Sequence, residues 1–244
     1  MHGLGTIINA AAIVVGSILG MALKGGLPKR FEKTIMSAVG LSVSFIGISG
    51  ALAEMFAVDE NSVSTQYVML MVLSLVIGGV LGEAVNIEYR LEQLGIWCRK
   101  KAAFLAGDNP AFVDGFVSAS LLFCVGAMAI VGSISDGLTG DYTTLAAKAV
   151  LDGVTSLVMA ASMGSGVLLS AVAVAAYQGI ITMLASFLSP VMTDVLISQM
   201  AMVGSVLIAG IGINMLFDKK LVKVGNLLPA VIIPIFYQIV VLLF

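Results

Sequence analysis

The fold is decided by the stretch GVTSLVMAASMGSGVLLSAVAVAAYQGIITMLASFLSPVMT, residues Gly153–Thr193. It contains no Asp, Glu, Lys or Arg. It is about twice as long as the roughly 20 residues that a helix needs to cross a bilayer. We therefore expect two spans, separated at the sequence MGSG of residues 163–166. The alternative is one span followed by a re-entrant segment, which would leave seven spans in the chain.

Six further stretches lack charged residues and have about the length of one span each. They are Met1–Leu23, Thr34–Ala53, Asn61–Gly82, Gly115–Ser135, Val195–Phe217 and Val224–Phe244. Because backbone polar groups cannot bond to water inside lipid, helices are the expected form. The sequence therefore predicts an all-α bundle of about eight transmembrane spans. No segment is long enough for a separate soluble domain, so we expect a single integral membrane domain over residues 1–244.

Composition supports a membrane location. Of the 244 residues, 59% are hydrophobic and 11% are charged, and the mean hydropathy is +1.10. A soluble domain carries about 25% charged residues, so this chain has too few to cover a core in water. The net charge of −2 argues against nucleic acid as a partner, since phosphate binding requires a basic surplus. The expected partner is the lipid bilayer.

Basic residues alternate between the connections of these spans. They fill the first, third and seventh connections: Lys24, Lys29, Arg30 and Lys33; Arg90, Arg99, Lys100 and Lys101; Lys219, Lys220 and Lys223. The connections that hold Glu54, Asp136 and Asp194 contain no Lys or Arg. The positive-inside rule then places both termini outside, and the alternation favours an even number of spans.

The third connection predicts an amphipathic helix on the cytoplasmic face. Between Asn86 and Ala106, apolar residues recur at helical spacing with charged residues between them. Trp97 suits the headgroup layer. We interpret this helix as a connector that rests on the bundle, in preference to a docking element for a partner.

Two spans share a glycine pattern. Gly16 and Gly20, like Gly78 and Gly82, are four residues apart, and such pairs let helix backbones approach closely in membranes. The similarity is compatible with internal duplication or with tight helix packing alone. Helix-packing glycines also leave a homodimer open.

Ionisable residues at membrane depth give the sharpest functional signal. The division at MGSG extends the fifth span back to Thr144, and Lys148 and Asp152 then lie within it on one helix face. A charged residue there costs about 2.5–3.5 kcal/mol, so pairing or a watery cavity is expected. One hypothesis is a substrate or ion site, with Asp152 as acceptor and Lys148 as counter-charge. The other is a structural pair in which Lys148 extends to water.

Three amides join the candidate substrate- or ion-binding residues: Asn9, Gln178 and Asn226. Each is predicted at or near span depth, where the alternative role is an interhelical hydrogen bond. Other polar groups near span ends are expected in water. The segment Asp136–Asp141 is interpreted as a solvated turn, because a calcium loop requires more oxygen ligands in a fixed register. Glu83 is expected to be hydrated.

The chemistry of common catalytic sites is missing. The chain has one histidine, so a two-histidine zinc site is excluded, and no nucleotide-binding or nucleophile-elbow motif is present. Cys98 and Cys124 indicate neither a disulfide framework nor a metal cluster. We therefore predict no cofactor, no metal and no enzymatic activity. A Ser–Lys dyad at Lys148 is the catalytic alternative that composition leaves open.

Several motifs together resemble those of a known family. In chain order they are Gly5-Thr6-Ile7-Ile8-Asn9-Ala10, Gly16-Ser17-Ile18-Leu19-Gly20, Gly40-Leu41 through Gly47-Ile48, Lys148-Ala149-Val150-Leu151-Asp152-Gly153, Tyr177-Gln178-Gly179 and Val224-Gly225-Asn226-Leu227-Leu228-Pro229-Ala230. Over essentially the whole chain they resemble the uncharacterised YdfK/YqgA-like family of bacterial membrane proteins. The resemblance implies a bacterial plasma (inner) membrane location. It transfers no catalytic or binding residue.

Taken together, these patterns favour a small secondary transporter or channel for a small, charged solute. The reasons are a bundle without a soluble domain, polar groups at membrane depth and candidate repeats. Without an ATP motif, active transport would depend on an ion gradient or a separate energising subunit. The alternative is a structural or regulatory membrane scaffold that binds itself or another membrane protein through its glycine-lined faces. An intramembrane enzyme ranks third.

Overall fold

A computed structural model of the chain describes residues 2–24, 29–59, 62–101, 110–125, 127–188, 190, 192–217 and 219–243. The helices are α1 (Leu4–Lys24), α2 (Lys29–Met55), α3 (Val68–Val85), α4 (Ile87–Lys101), α5 (Phe112–Cys124), α6 (Ala127–Thr139), α7 (Thr143–Met163), α8 (Ser165–Met183), α9 (Ala185–Leu188), α10 (Asp194–Phe217), α11 (Val224–Leu227) and α12 (Ile233–Leu243). A 3-10 turn, Leu228–Ile232, joins α11 to α12. The predicted all-α class is confirmed.

Within the described ranges, six helices are long and apolar enough to cross a membrane: α1, α2, α3, α7, α8 and α10. The pair α5 and α6, inclined by 62° to each other, would be a seventh span if it crosses as one bent unit. The segment Val224–Ile239 is apolar but shorter. These helices confirm a multi-pass membrane protein. The count of eight spans and the outside location of both termini stay predictions.

The deciding stretch divides at the predicted position. Gly164 separates α7 from α8 with φ of 76°, a value that favours glycine because a Cβ would be strained there. Its backbone N–H donates to the carbonyl of Ala160 at 2.9 Å, which ends α7. The two-helix interpretation is therefore confirmed. Because α7 begins at Thr143, Lys148 and Asp152 lie inside a candidate span, as predicted.

The predicted third span begins too early. Strand β1 (Phe56–Asp59) pairs antiparallel with β2 (Ser62–Thr65), and α3 starts only at Val68. Strand β2 lacks charge, but its Val63 and Thr65 are β-branched and favour a strand over a helix. The absence of charge was therefore too weak a criterion for a span here.

The predicted fourth span, Gly115–Ser135, is also not one straight helix. It is divided near Val125 into α5 and α6, and α6 continues to Thr139. Asp136, placed in a solvated turn by the sequence, therefore lies within a helix and is fully buried. The physical reason is that its carboxylate finds backbone donors inside the protein.

The amphipathic helix is confirmed as α4, which ends at Lys101, and residues 102–106 of the predicted helix lie outside the described part. Trp97 on α4 is exposed, as a headgroup contact requires. The helix alone does not show on which side of the membrane it lies or whether it binds a partner. Its cytoplasmic location therefore stays a prediction.

The chain divides into two compact units. Unit 1 consists of Met1–Val39, Leu91–Cys124 and Met128–Val191. Unit 2 consists of Gly40–Arg90, Val125–Ala127 and Met192–Phe244. The prediction of a single membrane domain over the whole chain stays a prediction, and the units are described separately.

Unit 1 is built around close contact between α1 and α7. A Cβ on Gly16 would collide with the backbone carbonyl oxygen of Gly153, and one on Gly20 would collide with that of Leu157. Contacts advance along both helices in the same direction, so α1 and α7 run parallel. Close approach of this kind gives van der Waals contact between backbones, which drives helix association where lipid removes the hydrophobic effect.

Unit 2 uses the second glycine pair in a different geometry. A Cβ on Gly78 of α3 would collide with the backbone of Ala230, and one on Gly82 would collide with the carbonyl oxygen of Asn226. The order of contacts is reversed, so α3 runs antiparallel to the segment of α11 and the 3-10 turn. Both glycine pairs therefore allow close contact within their own unit. Gly16 and Gly20 face a parallel helix, whereas Gly78 and Gly82 face an antiparallel segment.

Candidate functional site

An ion pair is buried on α7 in unit 1. Lys148 Nζ donates to Asp152 Oδ1 at 2.8 Å and lies 2.8 Å from Asp152 Oδ2. The two residues are 7% and 6% exposed. They meet because residues four apart lie on one face of a helix. The sequence predicted this pair at membrane depth, and the structure describes it as buried and in direct contact.

Asn9 of α1 completes the pair. Its amide Nδ2 donates to Asp152 Oδ2 at 3.0 Å, and the residue is fully buried. One turn further along, the hydroxyl of Ser156 on α7 donates to the carbonyl of Ile13 on α1 at 3.2 Å. The close glycine contacts of α1 and α7 hold these groups within bonding distance. Asp152 is thus held by a cation and an amide from two helices.

Asp136 is a functional-site neighbour that sequence reasoning missed. Its Oδ1 accepts from the backbone N–H of Gly3 at 3.1 Å, and its Oδ2 accepts from that of Gly5 at 2.9 Å. The first N–H groups of a helix lack intrahelical partners and carry partial positive charge, so a carboxylate stabilises them. The available signal was the pair of glycines at the predicted start of α1, which lets a side chain approach the backbone.

Residues 137–139 of the predicted solvated turn belong to α6, and only its end at Asp141 is exposed outside the helix as predicted. Asp141 is exposed and accepts from the hydroxyl of Thr143 at 2.6 Å and from its backbone N–H at 3.0 Å. These two bonds, the hydroxyl first, hold the pKa of the Asp141 carboxyl below its ordinary value. A charged carboxylate at the start of α7 also interacts favourably with the helix dipole.

Unit 1 holds further buried polar residues on neighbouring helices. At the end of unit 1 where α1 begins, Gly5 of α1 lies against Leu145 of α7 and Asp136 of α6. One turn, about 5.4 Å, further into the unit leads along α1 and α7 to Asn9 and Lys148. Gly137 of α6 lies against the carbonyl oxygen of Thr182 on α8, and Gly132 of α6 lies against Leu145. Ser133 on α6 and Gln178 on α8 are buried in the same unit.

We call Asn9, Ser133, Lys148, Asp152 and Gln178 the polar layer. Ser133 and Gln178 lie four residues before Gly137 and Thr182, respectively. They therefore share the helix faces by which α6 and α8 approach one another. Both are fully buried. Gln178 was predicted as a site residue and lies in the same unit as Lys148, Asp152 and Asn9. Ser133 was not predicted, because single serines are common in apolar helices.

The polar layer holds unused hydrogen-bonding capacity. Among the described residues, the amide oxygen of Asn9, the hydroxyl of Ser133 and both amide atoms of Gln178 are buried without a hydrogen-bond partner. The hydroxyls of Thr6 and Thr182, one turn toward the start of α1, are in the same condition. Each such group costs about 1–3 kcal/mol when it is left unsatisfied. The amide oxygen of Asn9, whose other end bonds to Asp152, is the unpartnered group that lies at the charge pair, where a bound solute or water could satisfy it.

Cys124 ends α5, and this helix packs against α7 and α8 in unit 1. Its thiol is free and partly exposed. The sequence indicated only an apolar filling role for this cysteine.

Asn226 lies in unit 2, in a separate network. Its Nδ2 donates to Glu83 Oε2 at 2.6 Å, and its Oδ1 accepts from the backbone N–H of Glu88 at 2.7 Å. Lys223 Nζ donates to Glu83 Oε1 at 2.7 Å. Glu83 is exposed, as predicted, but it is also bonded. Asn226 thus joins α3, α4 and α11, and its role as a solute-binding residue stays a prediction.

The two networks use the same three kinds of side chain. In each, an asparagine amide and a lysine ammonium bond to one carboxylate: Lys223 and Asn226 to opposite oxygens of Glu83, and Lys148 to both oxygens of Asp152, one of which Asn9 also bonds. They differ in environment, since the side chains of Lys148 and Asp152 are 9% and 8% exposed, whereas those of Lys223 and Glu83 are 61% and 58% exposed. The exposed network is therefore an internal control for the effect of burial.

Metal-ligating clusters are not found among the residues that the structure describes. No group of three His, Cys, Asp or Glu side chains is positioned there to hold a metal ion. Cys98 and Cys124 are both free thiols, and partial burial raises the pKa of the Cys98 thiol on α4.

The fold and site define a polytopic helical membrane protein with a charge pair buried in one unit. The chain belongs to the family described as "Protein of unknown function (DUF554)", which matches residues 4–239. It is 34% identical over 230 residues to the uncharacterised membrane protein YdfK of Bacillus subtilis, covering 94% of this chain and 93% of YdfK. It is 28% identical over 237 residues to the uncharacterised protein YqgA of Escherichia coli, covering 94% of each chain. No solved structure matches the chain.

Proposed function

We propose that this protein is a small secondary transporter or channel for a small charged solute, with the polar layer of unit 1 as its solute site. The observation that carries the proposal is the buried Lys148–Asp152 pair together with the unpartnered amide oxygen of Asn9 and the unpartnered amide of Gln178. A membrane-embedded ion pair is costly, and its usual roles lie on a solute or ion pathway.

The chemistry of the pair suits reversible binding. Lysine has a compact ammonium on a flexible stem, so its contact with a carboxylate can be exchanged for another partner without backbone movement. A charged solute that enters the layer would replace Lys148 at Asp152 or Asp152 at Lys148. The unpartnered amides can then bind the solute or its water shell.

Transport would draw on an ion gradient or a separate subunit, since no ATP-binding motif is present in the sequence. The protein would act in the plasma membrane of a bacterium, as its relatives' source organisms suggest. Lipid is the proposed surrounding partner, and nucleic acid is not. A homodimer is compatible with this function.

The second candidate is a structural or regulatory membrane scaffold without transport activity. One observation favours it: Lys148 and Asp152 neutralise each other at 2.8 Å, as a purely structural pair would. A second observation argues against partner binding through the glycine-lined helix faces, because Gly16 and Gly78 already contact segments of their own units. Helix faces already occupied in this way are less suited to bind a partner.

We propose no enzymatic activity. A Ser–Lys dyad requires the lysine amine to act as a base beside a serine hydroxyl. Lys148 instead donates to Asp152 and lies 2.8 Å from both of its carboxylate oxygens, so its amine is already engaged by a carboxylate.

Ion flux into liposomes tests the proposal. The purified chain is reconstituted into vesicles that contain a sodium-sensitive or pH-sensitive dye, and Na⁺, K⁺ and Cl⁻ gradients are applied one at a time. We expect at least one gradient to collapse faster than in protein-free vesicles. Asp152→Asn should abolish this flux, whereas Glu83→Gln, in the exposed network, should retain most of it. Wild-type flux equal to that of empty vesicles, or full flux in Asp152→Asn, contradicts the proposal.

A further inference from the structure

We propose that the polar layer binds a monovalent metal cation, and that Lys148 occupies the place of this cation while the site is empty. Two features of the layer point to that ligand: its charge, and its carboxylate, hydroxyl and unpartnered amide oxygens. The inference rests on the transport function proposed above, because it names the class of solute or coupling ion that the site takes.

The charge around the layer favours a cation. Asp152 and Asp136 are both buried carboxylates, and Lys148 is the buried cation beside them. The buried ionisable groups described at this end of unit 1, Asp136, Asp152 and Lys148, therefore sum to one negative charge. An anion would bind between two carboxylates and would displace Asp152 from Lys148, which leaves that carboxylate buried without a partner.

The ligand atoms are those that alkali-metal cations prefer. Hard cations bind carboxylate, amide and hydroxyl oxygens. Asp152 offers a carboxylate, and Asn9 and Gln178 each offer an amide oxygen that is buried without a partner in the described structure. Ser133 adds a buried hydroxyl whose oxygen is also unpartnered. The oxygens of Asn9 and Asp152 lie side by side on α1 and α7, and the proposal adds those of Ser133 on α6 and Gln178 on α8 as further ligands.

The number of carboxylates favours a monovalent ion over Ca²⁺. Calcium sites use six to eight oxygens, commonly with several carboxylates. Here Asp152 is the one carboxylate in the layer, and Asp136, one turn away, has both oxygens bonded to backbone N–H groups. A single negative charge with neutral oxygens balances a monovalent ion without excess charge.

Lys148 is placed to compete with such an ion. Its Nζ lies within 2.8 Å of both Asp152 oxygens, where a bound cation would lie. When a metal cation enters, the flexible lysine stem can carry the ammonium toward the start of α7 and the carboxylate of Asp136. In the bound state the metal cation then faces Asp152 and the ammonium faces Asp136, so the three buried ionisable groups and the ion sum to zero charge.

Equilibrium binding of radioactive ²²Na⁺ to the full chain in detergent tests this inference separately from transport. We expect saturable binding by the wild type that is competed by Li⁺ or K⁺ and not by choline. Asp152→Asn should abolish it, and Glu83→Gln should leave it unchanged. Lys148→Met, which removes the tethered competitor, should bind Na⁺ about tenfold more tightly or better.

Gln178→Leu keeps the charge pair intact and should weaken binding by about tenfold, so the test does not depend on a charge-pair variant that fails to fold. Absence of saturable ²²Na⁺ binding in both the wild type and Lys148→Met overturns the inference. So does binding of ³⁶Cl⁻ that Lys148→Met abolishes, even if vesicles show flux. Saturable cation binding without any vesicle flux upholds the site and refutes the transport function instead.

Discussion

The amide nitrogen of Asn9 lies 3.0 Å from Asp152 Oδ2, and this bond joins α1 to the buried charge pair of α7. The bond uses one end of the asparagine amide and leaves its oxygen unpartnered among the described residues. Asn9 therefore positions the carboxylate and also presents a free acceptor beside it. A purely structural amide would be expected to satisfy both ends.

Removal of one member of the charge pair should destabilise unit 1 strongly. Lys148→Met leaves a buried carboxylate without its cation, and a loss of about 3–5 kcal/mol in unfolding free energy is expected. The double variant Lys148→Met with Asp152→Leu removes both charges and should lose less. Unfolding in mixed detergent and SDS, followed by circular dichroism, measures both. Strictly additive losses would show that the two residues do not stabilise each other.

Added Na⁺ should restore stability to Lys148→Met. If a metal cation takes the place of the ammonium, the melting temperature of this variant should rise with Na⁺ concentration, as for any ligand that binds the folded state. Choline at the same ionic strength is the control. An equal response to choline and Na⁺ would mean that ionic strength, and not site binding, is responsible.

The glycine contacts can be tested with a matched pair of substitutions. Gly16→Ala places a Cβ against the carbonyl oxygen of Gly153, so α1 and α7 must separate and the unfolding free energy should fall by about 1–3 kcal/mol. Gly179→Ala on α8 meets no atom within 4 Å and should be neutral or stabilising, since alanine is the better helix former. The melting temperatures of the two variants measure these effects on stability. Equal effects would contradict the close contact of α1 and α7.

Asp136 should hold the start of α1 in place. Asp136→Ala removes the acceptor for the N–H groups of Gly3 and Gly5, and loss of such a cap costs about 1 kcal/mol. Hydrogen–deuterium exchange should therefore accelerate in residues 3–9. Asp141→Ala, at an exposed carboxylate that does not bond to α1, is the control and should leave this peptide unchanged. Unchanged exchange in Asp136→Ala would argue against the cap.

Acid should weaken the start of α7 through Asp141. Because Thr143 lowers the pKa of Asp141 in the folded state, the stabilisation is present above the ordinary pKa and is lost as the pH falls through the lowered value. Thr143→Val removes the hydroxyl donor and should raise the pKa of this carboxyl toward its ordinary value. Carbon-13 NMR titration of labelled aspartate in micelles measures the change, with Thr144→Val as control. A pKa unaffected by Thr143→Val would contradict the assigned cause.

The helical membrane fold was predictable because lipid imposes two simple requirements, apolar length and internal backbone bonding. The length of the charge-free stretch predicted that it divides, and the sequence MGSG predicted where. The placement of Lys148 and Asp152 within a span followed from that division. Strand β2 (Ser62–Thr65) was missed because a charge-free stretch need not be helical. Its Val63 and Thr65 are β-branched and favour a strand.

The candidate site was predictable only in part, because it depends on which helices meet. A spacing of four places Lys148 beside Asp152 within one helix, so the sequence shows that contact directly. The contact between Asn9 and Asp152 joins residues far apart in the chain and cannot be deduced from local spacing. Asp136 was misplaced for the same reason: its partners, Gly3 and Gly5, belong to a distant helix.

Access from water to the polar layer tests the central claim most directly. In a chain without its two native cysteines, Ser133→Cys and Ser74→Cys are each treated in vesicles with a small charged methanethiosulfonate reagent. Both serines are fully buried, with hydroxyls that have no partner in the described structure, but Ser74 lies on α3 in unit 2. We predict that Ser133→Cys reacts, that Na⁺ slows the reaction, and that Ser74→Cys stays inert. Equal inertness of the two cysteines would contradict a solute site in the polar layer and would favour a structural charge pair.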